Sequence, residues 1–244
     1  MKMKAQGEWI NHKYRVLNAF PFVIGVLYFA ETKTKQGDSQ TRFIHGLEIK
    51  PVSKQIQREK ILIREDAVFF PIREVFIEND CLYQVFQSLE GTLLAHHLQQ
   101  KTPVSLDEMT SVMRGVTYQL LRLYKNKQFT IVHPQNIMIT SDKGIRFIYG
   151  GPLGALPKGP SLDLGDPNKA RKLDNLYDSY TIGVMIYQML TGKNPMSTGL
   201  LIPPISTFCK DCPKELDQLI SRALSFNIHS RPQVEEIADV LDKL

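Results

Sequence analysis

The hydrophobic pattern of the chain changes once, near residue 90, and this change limits the possible folds more than any other feature. Before it, short aromatic and branched runs alternate with turn residues, which is typical of antiparallel strands. These runs lie at 14–19, 25–31, 42–49, 72–77 and 82–86, with one helix-like segment at 52–64. After it, apolar residues recur every three or four positions, as in Met109, Val112 and Val116, which is typical of an amphipathic helix. The order predicts an α+β chain, with a small antiparallel sheet followed by a mainly helical part.

Local signals predict individual turns and helix ends. Glu78-Asn79-Asp80 predicts a turn between two antiparallel strands, and Ser105 with Glu108 predicts the N-cap of a helix. Strand-like runs at 137–139 and 145–148, separated by the turn residues 141–144, predict a second hairpin. The Gly- and Pro-rich stretch 150–166 predicts an irregular loop, and helices are predicted at about 177–190, 213–224 and 232–244.

Length, charge and cysteine content set the broad class of protein. The chain has 244 residues, of which 43% are hydrophobic and 23% charged, so we expect one globular domain or two closely joined lobes. The net charge of +5 comes from scattered lysines and arginines, which predicts no nucleic-acid partner. No apolar run approaches the ~18 residues that cross a bilayer, so no membrane insertion by this chain is expected. Three cysteines do not suggest a disulfide framework, and a cytoplasmic location is the expectation.

Seven short segments resemble, in order, the sequence motifs of protein kinases. They are the end of the Gly-rich loop (25–30), the small-lobe helix (56–59), the hinge (82–93), the catalytic loop (134–136), the buried large-lobe helix (178–183), its continuation (190–195) and the closing segment (223–232). The resemblance implies a bilobal protein-kinase-like fold. Its N-lobe, an antiparallel sheet with one helix, is expected at residues 1–88, and its mainly helical C-lobe at 89–244.

The positions that would hold the phosphates of a nucleotide have lost most of the groups needed for that task. A kinase cradles phosphates with backbone N–H groups of a loop containing three glycines, of which only Gly25 remains here. Phe20 and Phe22 stand in the loop instead and are able to fold under it into the cleft. His45 stands at the strand position of the kinase lysine, and a mostly uncharged imidazole is a poor clamp for phosphate. Glu59, which resembles the ion-pairing glutamate, then has no assigned partner.

The positions of the catalytic base and of the metal-binding aspartate are also changed. With Asn136 setting the register, the base position falls on Ile131, whose alkyl group cannot accept a proton. Tyr149 occupies the position of the metal-binding aspartate, and a neutral phenol is a poor Mg²⁺ ligand. His133 stands where many Ser/Thr kinases have lysine. No metal site and no catalytic residue are therefore expected.

Residues that support the fold of a kinase are retained where those of the chemistry are not. Asp178 matches the aspartate of the buried large-lobe helix, and Arg231 matches the arginine near the end of the domain. In the family that arginine pairs with a glutamate, whose position here is Asn168, so an ion pair between the two is not expected.

These substitutions predict a catalytically inactive protein-kinase-like domain, a pseudokinase, that acts as a regulatory or scaffolding module for an unidentified protein partner. No cofactor is expected. The alternative is a divergent, active Ser/Thr kinase or ATP-dependent phosphotransferase that needs ATP and Mg²⁺ and uses unusual residues. His133, Asp142 and the pair Asp163 and Asp166 are the candidates for that chemistry. Membership of a larger membrane-associated assembly stays open.

Overall fold

The first part of the chain forms a six-stranded antiparallel sheet. The computed structural model describes residues 2–34, 36–49, 58–158, 167–197 and 201–244. The strands are β1 (Trp9–Ile10), β2 (Tyr14–Pro21), β3 (Val26–Lys33), β4 (Ser39–Glu48), β5 (Ile72–Glu78) and β6 (Cys81–Phe86). They lie in the order β1-β2-β3-β4-β6-β5, and the five strand segments expected from the sequence are confirmed. The short β1 was not anticipated.

Local turn chemistry explains how neighbouring strands pair. Asn79 and Asp80 connect β5 to β6 with φ angles of 49° and 58°, the left-handed conformation that a two-residue hairpin turn requires. This turn places Val75 opposite Gln84, and β4 pairs on the other side of β6, with His45 opposite Gln84. Gln84 therefore lies in the middle of the sheet, beside the position of the kinase lysine.

A single helix, α1 (Arg58–Leu62), lies between β4 and β5. It buries Ile61 completely against the sheet, together with Leu47 and Leu82. The predicted helix covers 52–64, but residues 50–57 lie outside the described part of the chain. Within the described residues, the structure confirms the predicted helix over 58–62, while residues 63 and 64 lie beyond its end.

The second part of the chain is built on five helices: α2 (Leu94–Lys101), α3 (Leu106–Lys125), α4 (Pro167–Thr191), α5 (Lys214–Ala223) and α6 (Val234–Leu241). The apolar face predicted for α3 is buried, since Met109 and Val116 are fully enclosed and pack in one core with Ile182 and Ile186 of α4. Ser105 caps α3 by accepting a hydrogen bond from the Glu108 backbone N–H at 3.1 Å. In the described ranges, no helix combines the length and the apolar character needed to cross a membrane.

Five short strands line the junction between the sheet and the helices. They are β7 (Thr92–Leu93), β8 (Gln128–Thr130), β9 (Ile137–Ile139), β10 (Ile145–Phe147) and β11 (Gly150–Pro152). β9 pairs with β10 and β7, while β11 pairs with β8. The hairpin predicted from Ile137 to Ile148 is thus confirmed, and it holds the catalytic-loop segment next to the sheet.

Two sequence predictions about the following segment are wrong in detail. Residues 150–166 were expected to be irregular, but the first three form β11. Gly150 makes this possible, because a Cβ atom there would lie 2.3 Å from the Phe129 carbonyl oxygen. Helix α4 was expected to begin at Tyr177, yet it begins at Pro167. Its first turns are polar and lack apolar periodicity, while proline at a helix start and the Ala, Lys and Arg residues after it favour helix.

Candidate functional site

His45, which the sequence predicts at the position of the kinase lysine, is held in its neutral form. It is fully buried in β4, with Nε2 2.6 Å from the Ile24 carbonyl oxygen and Nδ1 3.0 Å from the Gln84 amide nitrogen. Because a carbonyl only accepts, Nε2 carries the proton and Nδ1 accepts from Gln84. Burial lowers the pKa of His45 to about 4. The imidazole is therefore uncharged at neutral pH, with both nitrogens engaged.

The loop between β2 and β3, which the sequence predicts at the phosphate-cradle position of a kinase, lies directly on β4. Gly25 has φ +79°, and a Cβ atom on it would lie 2.2 Å from the Gly46 carbonyl oxygen and 3.2 Å from His45 Nε2. The one retained glycine thus permits close packing of the two backbones. No space for a phosphate group separates Gly25 from Gly46.

Three rings close this end of the cleft, and we call Phe22, His45 and Tyr149 the aromatic stack. The His45 ring lies edge-on to both neighbours, with centroid distances of 5.2 Å to Phe22 and 5.2 Å to Tyr149. Such geometry is favourable for aromatic pairs. Phe22 is partly buried, whereas Phe20 keeps 43% of its surface exposed. Of the two loop phenylalanines, Phe22 therefore folds under the loop and Phe20 points away.

Tyr149, which the sequence predicts at the position of the metal-binding aspartate, is held by contacts of both its hydroxyl and its ring. Its side chain is 1% exposed, its hydroxyl donates to the Pro157 carbonyl at 2.6 Å, and its ring packs edge-on against Phe129. Burial raises the pKa of Tyr149, so the phenol stays protonated. A buried, protonated hydroxyl that already donates to a carbonyl has no free oxyanion for a metal.

Asn136 is fully buried, and both the nitrogen and the oxygen of its side-chain amide form hydrogen bonds. Its Nδ2 lies 3.0 Å from Thr130 Oγ1, 2.8 Å from the Ile131 carbonyl oxygen and 3.1 Å from the Tyr149 carbonyl oxygen. Its Oδ1 accepts from the Tyr149 backbone N–H at 2.7 Å. The side chain thereby ties the segment after β8 to the segment after β10. Both amide hydrogens and the carbonyl oxygen are engaged in this fold-stabilising network.

The remaining catalytic-loop positions have structural partners. Ile131 is partly buried in an apolar cluster with Phe129 and Tyr149. His133 caps the short 3₁₀ turn Pro134–Asn136, since its Nδ1 accepts from the Gln135 N–H at 3.2 Å. Burial lowers the pKa of His133, which disfavours the cation.

A buried cation, Arg64, lies close to His45 and Tyr149, although no sequence motif pointed to it. Arg64 is 9% exposed, donates to the Ile148 carbonyl at 2.8 Å and lies 4.3 Å over the Phe69 ring. Burial lowers its pKa to about 9. By contrast, Glu59 is exposed on α1, and within the described residues no ion pair joins it to His45. No motif marks Arg64, because its burial arises from tertiary packing.

The residues proposed for other chemistry are not gathered at the cleft. Asp142 is exposed in the turn between β9 and β10, where a hydrogen bond from Thr140 lowers its pKa. Asp163 and Asp166 lie outside the described residues. Across the described ranges, no three His, Cys, Asp or Glu side chains converge as a metal site would require.

The two predicted scaffold residues are both anchored in the helical part. Asp178 is 8% exposed, accepts from the Tyr124 hydroxyl on α3 at 2.6 Å, and has its pKa raised to about 6 by burial. Arg231 donates to the Ser225 carbonyl at 3.0 Å and lies 4.5 Å over the Tyr180 ring. The aromatic face thus supports the guanidinium. The side chain of Asn168 is not among the described groups.

The other end of the cleft is open. A cavity of about 280 Å³, which we call the hinge pocket, lies beside β7. Its apolar lining includes Leu27, Phe43, Leu89, Leu93, Met138 and Ile148. Phe43, one of these lining residues, packs against Phe29 at a centroid distance of 5.0 Å. The lobe junction therefore holds an apolar pocket at one end and the aromatic stack at the other.

Comparison with known proteins agrees with this architecture. No protein-family model matches the chain. A probable serine/threonine-protein kinase, zyg-1, from Caenorhabditis briggsae is 25% identical over 235 residues, an alignment that covers 87% of this chain. The chain spans only 31% of the length of that relative.

Solved structures show the same fold over nearly the whole chain. The kinase domain of Mycobacterium tuberculosis PknI superimposes with a TM-score of 0.65 at 19% identity, covering 98% of this chain and 99% of that domain. A second crystal structure of the PknI kinase domain gives a TM-score of 0.65 with 98% of both chains covered. The chain is therefore protein-kinase-like, with the fold of a Ser/Thr kinase domain.

Proposed function

We propose that the chain is a catalytically inactive protein-kinase-like domain, with lobes at residues 1–88 and 89–244, that acts as a regulatory or scaffolding module for a protein partner. The observation that carries this proposal is the aromatic stack. It fills the end of the cleft where phosphoryl transfer needs a lysine and a metal-binding carboxylate. Ile131 at the base position supplies no group that accepts a proton.

The protonation state of His45 supports this conclusion. A lysine holds phosphates because it is charged, whereas His45 has a pKa of about 4. At pH 7 this leaves roughly one molecule in a thousand with a charged His45. Both ring nitrogens are also engaged by Ile24 and Gln84. A phosphate would have to displace these partners and then face a neutral ring.

The residues present do not fit Mg²⁺-ATP. The metal would need carboxylate or free amide oxygens, but Tyr149 is a protonated phenol and Asn136 Oδ1 already accepts a backbone hydrogen bond. The phosphates would need free backbone donors, but Pro21 has none and Gly25 packs against Gly46.

Thermal unfolding of the purified chain with ATP or ADP, each with and without Mg²⁺ or Mn²⁺, tests the proposal. A nucleotide at 100 times its dissociation constant would stabilise the fold by about 2.7 kcal/mol, a shift of about 2–4 °C. We expect no shift in any combination. A metal-dependent shift would contradict the closed phosphate end.

The second measurement is phosphotransfer to a generic protein substrate. We expect a rate no higher than that of the same reaction without the protein. A matched variant separates a contaminating kinase from the chain itself. Leu89→Trp places a large ring in the hinge pocket at a partly buried position. Metal-dependent transfer that disappears in Leu89→Trp would identify an active, divergent kinase and overturn the proposal.

A further inference from the structure

Two of the cysteines of the chain lie together in one tight turn. Cys209, Lys210, Asp211 and Cys212 follow one another just before α5, and the Cys212 backbone N–H donates to the Cys209 carbonyl oxygen at 3.2 Å. A hydrogen bond from residue i+3 back to residue i is typical of a β-turn, whose end Cα atoms are less than ~7 Å apart. Disulfides join Cα atoms that are about 4.4–6.8 Å apart. The backbone therefore holds the two cysteines at a separation that a disulfide spans.

Contacts on either side fix both ends of this turn. Before it, the Cys209 backbone N–H donates to the Ile205 carbonyl oxygen at 2.9 Å, and the Ile205 N–H donates to Asp217 Oδ1 on α5 at 2.7 Å. After it, Cys212 is followed directly by Pro213, the N-cap residue of α5. Both cysteines are partly buried and pack against the core of the helical part. Because the flanking backbone is already fixed, joining the two sulfur atoms requires mainly rotation of the two side chains.

The surroundings of Cys212 keep its thiol protonated. Its Sγ atom lies 3.7 Å from the Pro213 carbonyl oxygen, to which the thiol donates. Burial, together with the nearby Asp217 and Cys209, raises the pKa of Cys212 to about 12. Because the thiolate is the nucleophile in thiol–disulfide exchange, Cys212 is a poor first attacker, which leaves that role to Cys209. The contribution of Cys209 to this pKa also places the two sulfur atoms within electrostatic range of each other.

Other uses of a cysteine pair fit this turn less well. Structural zinc sites have four ligands, and across the described ranges no third His, Cys, Asp or Glu side chain converges with the pair. Cysteine pairs of disulfide oxidoreductases contain a thiol of lowered pKa, whereas the pKa of Cys212 is raised. The third cysteine, Cys81, is 9% exposed and belongs to the core cluster of the sheet. The arrangement therefore favours a bond between Cys209 and Cys212 themselves.

We propose that Cys209 and Cys212 form a reversible disulfide, which makes this turn a site of redox modification by small disulfides such as glutathione disulfide. In the first step the Cys209 thiolate attacks glutathione disulfide, which forms a mixed disulfide and releases one glutathione thiolate. In the second step the Cys212 sulfur attacks the Cys209 sulfur and the other glutathione leaves. Each released thiolate takes up the proton that the attacking cysteine gave up. The chain thus loses two hydrogen atoms, and one glutathione disulfide is reduced to two glutathiones.

This proposal does not depend on the proposed function. The turn lies in the helical part, outside the cleft, and the reaction involves no nucleotide.

Mass spectrometry of the purified full chain tests the site. The chain is incubated with glutathione disulfide, the remaining thiols are alkylated, and the product is cut with trypsin. Because trypsin cuts after Lys210, between the two cysteines, the disulfide should appear as two peptides that stay joined. An excess of glutathione should separate them. Unjoined peptides in an excess of glutathione disulfide, with each cysteine alkylated or carrying its own glutathione, would overturn the proposal.

Three variants separate the roles of the thiols. Cys212→Ser should stop at the mixed disulfide and keep one glutathione on Cys209. Cys209→Ser should leave Cys212 unmodified over the same time. Cys81→Ser is the matched control, since it removes a buried thiol outside the turn, and it should form the disulfide as the wild type does. A glutathione on Cys212 in the Cys209→Ser variant would overturn the proposed mechanism.

Thermal unfolding shows whether the turn accommodates the disulfide. Oxidation should raise the midpoint of the wild type and of Cys81→Ser by about 4–7 °C, the stabilisation that follows from closing a loop of four residues. Cys209→Ser should show no such rise. A lower midpoint after oxidation would mean that the turn must distort to join the sulfur atoms, which would overturn the geometry of the proposed site.

Discussion

The two ends of the cleft between sheet and helices differ in how they are filled. At the hinge end an apolar pocket of about 280 Å³ remains, lined by groups such as Leu27 and Met138. At the other end, which the sequence predicts as the phosphate site, Phe22 and Tyr149 pack edge-on against His45, and the Asn136 amide is engaged by hydrogen bonds. The aromatic stack is thus confined to one end of the cleft, while the hinge pocket lies at the other end.

The difference follows from the polarity of the two ends. Buried polar groups need hydrogen-bond partners, and the closed end supplies them for His45, Asn136 and Tyr149. Three buried atoms at this end have no hydrogen-bond partner in the described residues: Gln84 Oε1 and the Nε and Nη1 atoms of Arg64. The hinge end contains mainly apolar surface, which can stay open without leaving polar groups unsatisfied. Substitutions of Asn136, His45 and Phe22 test whether the closed end is held by these particular contacts.

The largest expected effect belongs to Asn136→Ala. The substitution removes every hydrogen bond of the buried amide and leaves the Tyr149 N–H and the Ile131 carbonyl without that partner. We expect the free energy of unfolding to fall by about 3–5 kcal/mol, measured by urea denaturation. Gln99→Ala removes an exposed amide and should change it by less than ~0.5 kcal/mol. If Asn136→Ala costs less than ~1 kcal/mol, the amide is not a fold-stabilising group and is free for a ligand.

The second prediction uses pH to probe His45. Its pKa is about 4 in the fold against 6.5 for an ordinary histidine, so its stabilisation is present above pH 6.5 and is lost as pH falls toward 4. Between pH 7 and pH 5 this should cost about 2 kcal/mol of the free energy of unfolding. His45→Gln should lose that acid sensitivity in denaturant titrations at both pH values.

His96 at the hinge pocket supplies the comparison for this experiment, since it is an exposed histidine at the open end of the same cleft. His96→Gln should keep the pH dependence of the wild type. If His45→Gln and His96→Gln both keep the pH dependence of the wild type, His45 is not buried in its neutral form. The phosphate end is then more open than the aromatic stack implies.

The third prediction separates the two loop phenylalanines. Phe22 contacts the His45 ring, whereas Phe20 is 43% exposed. Phe22→Ala should lower the free energy of unfolding by about 1–2 kcal/mol, because it loses buried apolar area and one ring contact. Phe20→Ala should change it by less than ~0.5 kcal/mol. Equal effects in thermal unfolding would show that the loop does not use Phe22 as its anchor.

The sequence predicts those parts of the molecule that depend on local chemistry. Strand alternation, the turn at Asn79 and Asp80, and the cap at Ser105 are all local signals, and the structure confirms them. The sequence did not predict that α4 begins at Pro167, because the first turns of this helix are polar. The sequence did not predict strand β11 either, because this strand forms by pairing with β8, where Gly150 lies opposite Thr130.

The site was less predictable, because side-chain partners depend on register and packing. The sequence indicated that His45 is a poor phosphate clamp, but its partner Gln84 lies 39 residues away on β6. No pattern distinguished Phe22 from Phe20, and no motif marked Arg64. For Asp178 the residue type was matched through resemblance, while its bond to Tyr124 required the packing of α3 on α4.

The smallest expected effect comes from Asp178, which contrasts with the closed end in the sign of its pH dependence. Its pKa is about 6 in the fold against 3.8 for an ordinary aspartate, so the buried carboxylate lowers stability above pH 6. This destabilisation by the carboxylate diminishes as pH falls toward 3.8. Between pH 7 and pH 5 it adds about 1 kcal/mol to the free energy of unfolding, which partly offsets the stability that His45 loses over the same range. Asp178→Asn should remove this gain, so its free energy of unfolding should fall more steeply on acidification than that of the wild type.

The control is Asp239→Asn, which changes an exposed aspartate on α6 and should follow the wild type. A variant curve for Asp178→Asn that parallels the wild type would mean that the carboxylate is hydrated, and the helical part would then be less tightly packed around Tyr124 than the phosphate end is around His45.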